Sequence, residues 1–213
     1  MYATLLNHRR SLEALGDAVA AAPYKGAPKS VVLAVKPRQA LVAPGGDVQI
    51  DDGADALEVG AALGVVIGTT ACAVAEADAL GHVAGFIVVC DCTLPRAGHF
   101  RPQIRAMARD ASCVLGSVVA PHDQVGAPDS LAMRVFVDGA LAQSSRTSEH
   151  VRSTARLIAD VSDFMTLMPG DILMTGSAPD GPRARAGAQI AVEIDGVGRL
   201  ETRVVIGAAR MRA

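Results

Sequence analysis

The chain has no tryptophan, and its 213 residues hold only two tyrosines and four phenylalanines. So few rings leave almost no stacking platform for bases, which argues against a nucleic-acid ligand. The net charge is -2, and no long basic run is present to meet a phosphate backbone or an acidic membrane surface. Four cysteines, Cys72, Cys90, Cys92 and Cys113, do not make a disulfide framework at this length. Cys90-x-Cys92 also lacks the spacing of a zinc knuckle. They read as small buried hydrophobes in a reduced setting. The longest charge-free stretch, Val59 to Ala75, is interrupted by Gly60, Gly64, Gly68, Thr69 and Thr70, unlike a membrane-spanning helix. The first ten residues show no apolar signal core. The expectation is a cytoplasmic protein without a nucleic-acid or membrane partner.

Half of the residues are hydrophobic, enough to bury a substantial core of Val, Leu, Ile and Ala. Residues 4–22 open with an apolar snippet and continue at helical spacing through Leu12, Leu15, Ala18 and Val19, with Ser11 as a candidate cap. Short strands are expected at Val31–Val35, Leu41–Ala43 and Val48–Ile50, and Asp51-Asp52-Gly53 reads as a turn. Asp138-Gly139 and Asp195-Gly196, each between apolar runs, are strong hairpin signals. Residues 149–166 carry the clearest helical stripe, through Val151, Ala155, Ile158, Val161 and Met165. Pro169-Gly170 stops it, and a strand over Asp171–Met174 runs into Thr175-Gly176-Ser177-Ala178-Pro179. The amides and hydroxyls of that loop can cradle an anion. Many short strands with few helices predict an α+β, mostly β domain.

Two features carry candidate chemistry. Arg101, Arg105 and Arg109 recur every four residues, as a solvated basic face or as a wall for a carboxylated substrate. The stretch Leu57–Asp91 holds two apolar runs, Leu63–Ile67 and Phe86–Val89, around a short helical pattern over Ala73–Val83. Its second strand ends at Asp91, a carboxylate that is costly to bury without a partner or a metal. Strand side chains repeat every two residues, so Glu58, Gly60 and Ala62 share one face.

The run Met168-Pro169-Gly170-Asp171 to Thr175-Gly176-Ser177-Ala178-Pro179, with the glycine-rich hairpin ending Gly196-Val197-Gly198-Arg199-Leu200, resembles the C-terminal signature of the fumarylacetoacetate hydrolase superfamily. Val65-Val66-Ile67-Gly68, Ala84-Gly85-Phe86 and Cys90-Asp91 match its metal-binding core. Leu6-Asn7-His8-Arg9, Ala22-Pro23-Tyr24-Lys25, Val35-Lys36-Pro37-Arg38 and Phe100-Arg101-Pro102 through Arg109-Asp110 are similar to the N-terminal half of a member built from two tandem domains. The resemblance implies a β-roll of mixed sheets with short flanking helices. It also implies one domain over 1–213, divided into an N-terminal segment (1–45) and a β-roll core (46–213).

The implied reaction is decarboxylation and double-bond isomerisation of a carboxylated oxo-diene diacid. A hard cation, Mg²⁺ or Mn²⁺, polarises the 2-oxo acid. The family's aspartate falls on Asp91, but its pair of acids falls on Gly60 and Ala62. Its lysine falls on Met107, and its N-terminal His and Glu fall near Ser11 and Ala14, so that His8 and Glu13 are out of register. Asp91 therefore marks a retained metal position and Glu58 a weak second candidate, too far along the strand for a direct ligand. No metal is expected to bind, and backbone amides, an arginine or water should take its place at Asp91. Thr175, Gly176, Ser177 and Arg101 are the implied substrate-binding residues; no catalytic residue is assigned. The implied assembly is a homodimer in isolation, or a heteromer with a catalytically intact paralogous subunit, acting on a small di- or tricarboxylate. The alternatives are an enzyme in its own right, using a rearranged site of Asp91, Glu58 and the 175–177 loop, a purely structural partner, or a homologue binding another small acid.

Overall fold

The computed structural model describes residues 1–51, 53–95, 98 and 103–207. Along the chain come β1 (Tyr2–Leu5), α1 (Arg9–Glu13), β2 (Val32–Val35), β3 (Leu41–Val42), β4 (Val48–Ile50), β5 (Leu57–Ile67) and β6 (Val83–Thr93). Then follow α2 (Ile104–Met107), β7 (Cys113–Leu115), β8 (Ala120–Pro121), α3 (His122–Val125), β9 (Ala132–Val137), β10 (Ala140–Arg146) and α4 (Thr154–Ser162). The chain closes with β11 (Ile172–Met174), β12 (Arg183–Ala184), β13 (Gln189–Ile194) and β14 (Gly198–Ile206). The fold is α+β and mostly β. No helix among the described residues is long and apolar enough to cross a membrane.

The larger sheet runs β2-β1-β11-β5-β6-β7-β3, with β12 added to β5 and β8 to β6. The smaller runs β10-β9-β13-β14-β4. Pairing is mixed: β1 with β11, β3 with β7 and β14 with β4 are parallel, and the other pairs are antiparallel. The two ends of the larger sheet, β2 and β3, are joined by residues 36–40 alone. Crossing seven flat strands would need about 29 Å, at about 4.8 Å per gap, whereas six extended steps reach about 20 Å. The sheet must curl, and the linker crosses the open side of the roll.

β5 and β6 are the long central pair, in register from Glu58 opposite Thr93 to Val65 opposite Phe86. Their alternation sorts two faces. Leu57, Val59, Leu63, Val65, Phe86, Val88, Cys90 and Cys92 face the main core. Met133, Val135, Ile190 and Val192 meet them from the smaller sheet, and Leu157, Ile158 and Val161 from α4. Each such side chain contributes about 1.5–3 kcal/mol on full burial. The other face carries a smaller cluster of Ala3, Ala62, Ile87, Val89, Cys113 and Met174. Gly60, opposite Asp91, lies on this second face.

Both hairpins form where Asp-Gly stands, with Gly139 at φ 81° and Gly196 at φ 72°, the left-handed region that glycine tolerates. Several boundaries differ from the sequence reading. The 149–166 stripe is α-helical only over Thr154–Ser162, because Ser153 accepts a hydrogen bond from the Arg156 amide and so sets the start. Ala73–Val83 yields a 3-10 helix at Glu76–His82. The first helix is only Arg9–Glu13, followed by a 3-10 turn at Gly16–Val19, and Ser11 lies buried inside it instead of capping it. Asp91 is not at a strand end: β6 continues to Thr93.

Candidate functional site

Asp91 opens onto a cleft of about 330 Å³. β5 contributes Glu58, Val59 and Gly60, and β6 contributes Asp91 and Thr93. The loop after β11 contributes Ser177 through Gly181, and the N-terminal segment adds Thr4, Ser11 and Ala14. Positions 11, 14, 60 and 91, far apart in the chain, thus share one cavity, and three of them carry small side chains. The curl of the larger sheet brings them together.

Asp91 is 8% exposed and Lys36 1%. The Lys36 ammonium donates to Asp91 Oδ1 at 2.5 Å and also to the Met107 carbonyl. The expected amide, arginine or water at Asp91 is therefore corrected to a lysine. Sequence reasoning does not single out Lys36, which stands within Val35-Lys36-Pro37-Arg38. Its only signal is a lysine at the end of an apolar strand, directly before proline, where the linker starts its crossing. Position 107 supplies a backbone acceptor, and the amine arrives from the opposite end of the sheet.

The residues present do not fit a divalent ion. A Cβ built at Gly60 would stand 3.0 Å from Ser177 Oγ, so any side chain there would have to push Ser177 back by a few tenths of an ångström. Ala62 is fully buried and has no side-chain oxygen. Glu58 sits opposite Thr93, two positions from the Gly60–Asp91 pair, and its carboxylate is 4.0 Å from Arg183. Among the described residues no three His, Cys, Asp or Glu side chains are grouped to hold a metal. Opposite Asp91 on β7, burial and the nearby carboxylate push the Cys113 thiol well up. A hydrogen bond with Cys92, together with burial, does the same to Cys90. Both thiols stay protonated and inert.

Of the expected ligand residues, Ser177 lines the cleft. Thr175 and Gly176 stand one step behind it: Asn7 Nδ2 donates to the Thr175 carbonyl at 2.8 Å, and the buried Thr175 hydroxyl has no partner among the described residues. Arg101 lies outside the described residues. Arg105 and Arg109 do not share one face. Arg105 is exposed, while Arg109 turns inward to Asp51 and the Gln49 carbonyl.

A second buried polar group adjoins the same loop. His8 and His150 pair through the backbone, with their rings 6.0 Å apart and edge-on. Glu149 lies 3.5 Å from His8 Nε2 without a hydrogen-bonding alignment. Burial lowers the His8 pKa, and burial with the neighbouring His8 lowers that of His150 to about 4.

The fumarylacetoacetate hydrolase C-terminal family matches residues 1–205. A 4-hydroxyphenylacetate degradation bifunctional isomerase/decarboxylase from Escherichia coli is 33% identical over 96% of this chain and 47% of its own length. The chain thus spans about half the length of that relative. A mitochondrial oxaloacetate tautomerase of Xenopus laevis is 30% identical over 84% of this chain and 59% of its own length. Among solved structures, a 5-carboxymethyl-2-hydroxymuconate delta-isomerase from Mycobacterium smegmatis superposes with TM-score 0.78 at 27% identity, covering 97% of this chain and 78% of that one. A fumarylpyruvate hydrolase from Pseudomonas aeruginosa, solved with Mn²⁺ and pyruvate, gives 0.80 at 25% identity, covering 97% and 89%.

Proposed function

This chain belongs to the fumarylacetoacetate hydrolase family, and from that premise we propose that it is one subunit of a cytoplasmic isomerase/decarboxylase assembly of 4-hydroxyphenylacetate degradation. Its substrates are carboxylated oxo-diene diacids: 5-carboxymethyl-2-oxo-hex-3-ene-1,7-dioate for decarboxylation and 2-hydroxyhepta-2,4-diene-1,7-dioate for isomerisation. In this reading residues 1–213 act as one domain, with the cleft beside Asp91 receiving the acid. The loop Thr175-Gly176-Ser177, with Arg101, holds its carboxylates. Both reactions draw electrons toward a 2-oxo group, a task for which a hard cation is suited. The cleft offers hydroxyls from Ser11, Thr93 and Ser177 and an Asp91 already neutralised by Lys36. The chain therefore binds and shapes, and a paralogous subunit with an intact acid pair supplies the metal-assisted step.

The observation that carries this reading is Gly60 opposite Asp91, a position with no side-chain oxygen and with Ser177 packed closely beside it. The test is turnover of 2-hydroxyhepta-2,4-diene-1,7-dioate by the purified chain, with and without Mn²⁺, alone and mixed with such a paralogue. Alone, the chain should form a homodimer by light scattering and show no Mn²⁺-stimulated turnover; mixed, it should co-elute with the paralogue and raise its rate. Mn²⁺-stimulated turnover by the chain alone, abolished in Asp91→Ala, would make it an enzyme in its own right. A stable monomer that ignores the paralogue would sink the assembly.

A further inference from the structure

We propose that the Lys36 ammonium is the resident cation of this cleft, standing beside Asp91 in place of a divalent ion and closing the site to metal. The proposal builds on the metal-free reading above but depends on a different residue. That reading rests on what Gly60 and Ala62 lack, whereas this one rests on what Lys36 supplies.

A lone carboxylate or ammonium at this depth would be strongly disfavoured. Lys36 and Asp91 are both buried, 55 residues apart in sequence, and joined by a 2.5 Å hydrogen bond. A second ammonium proton goes to the Met107 carbonyl. Backbone geometry aims the side chain. The Lys36 amide is tied to the Met1 carbonyl, Pro37 follows in extended conformation, and residues 36–40 cross the open side of the roll. One ammonium matches the one carboxylate it touches. A divalent ion at Asp91 would meet the ammonium at contact range, and no cluster of acids among the described residues offsets that repulsion. Glu58, the other strand carboxylate in the cleft, is drawn toward Arg183.

The test uses the full chain, with Mn²⁺ alone as the probe. Mn²⁺ uptake is followed by electron paramagnetic resonance, and thermal midpoints are measured with and without the ion. Wild type should take up no Mn²⁺ at millimolar concentration, and its midpoint should not respond. Lys36→Gln strands the Asp91 charge, so its midpoint should fall by roughly 6–20 °C. Its Mn²⁺ affinity should rise at least tenfold over wild type, with Mn²⁺ recovering part of the lost midpoint. Lys36→Gln/Asp91→Asn should lose that response. Should Lys36→Gln fail to fold, the wild type still decides through its lysine ammonium NMR signals. A slowly exchanging Lys36 signal that stays sharp as Mn²⁺ is added supports the proposal. A Lys36→Gln protein as stable and as metal-blind as wild type overturns the role of Lys36 and leaves the reading of Gly60 and Ala62 standing. Wild-type Mn²⁺ uptake that broadens the Lys36 signal overturns both.

Discussion

At Lys36 and Asp91 the chain buries two opposite charges against each other, while at His8 and His150 it buries two bases and keeps them uncharged. Both clusters tie the first forty residues to the core, and both adjoin the strand-and-loop framework of the cleft. At the first, the 2.5 Å ion pair and the Met107 carbonyl satisfy the groups that burial strips of water. At the second, both nitrogens of His8 and Nε2 of His150 have no hydrogen-bond partner among the described residues, and burial drives the proton off. A polar cluster can thus enter the interior either matched or discharged. The two forms fail under different challenges, the first on loss of a partner and the second on acidification.

The largest effect should come from breaking the matched pair. Asp91→Ala leaves the Lys36 charge buried without compensation and should cost about 3–5 kcal/mol, read as a lower urea midpoint at unchanged slope. A stability loss below about 1 kcal/mol would mean that the ammonium escapes to water, and the contrast with the histidines would collapse.

Acid addresses the discharged pair. His150 has its pKa lowered from 6.5 to about 4 in the folded protein, so between those values the unfolded chain holds more protons. Stability is complete above about pH 6.5, falls as the pH drops toward 4 and levels off below that, a loss of roughly 3 kcal/mol for this group. The groups that face the pair set the limits. Glu149 raises both histidines and Asp129 raises His150, while Arg10 lowers His8 and Glu13 raises it. Replacing His150 by Phe should flatten the slope of denaturant stability against pH in this window, whereas Lys36→Gln should leave the slope in place. An unchanged slope in His150→Phe would assign the acid response elsewhere.

The smallest of these effects probes the space beside Asp91. Gly60→Ala brings a Cβ to 3.0 Å from Ser177 Oγ and 3.1 Å from Ser177 Cβ, which should cost about 1–3 kcal/mol through overpacking. Adding Ser177→Gly should recover most of the loss. Equal stability of Gly60→Ala and wild type would show room for a longer side chain, and with it room for a rebuilt acid pair.

Much of the fold was legible because its signals are local. Asp138-Gly139 and Asp195-Gly196 announce their hairpins, and the alternation across Leu57–Ile67 places Gly60 and Ala62 on the face of Asp91. The stripe over 149–166 overstates the helix, since a periodic apolar stripe does not mark where a cap such as Ser153 starts it. The arginine row misled for the same reason. A spacing of four predicts one face only if a helix continues, and α2 ends at Met107, before Arg109 turns in to Asp51.

By itself the sequence determined the alternating strands, the turns, the absence of acids at positions 60 and 62 and the family's order of pieces. Each of these depends on neighbours within a few residues, where backbone geometry alone dictates which side chains share a face. Only the tertiary structure decided that Lys36 meets Asp91, that Ser177 packs closely beside Gly60 and that His8 lies against His150. Those contacts join residues dozens of positions apart, and they exist because the larger sheet curls until residues 36–40 can span its opening. Periodicity tells which face a side chain takes; closure of the roll decides what covers that face.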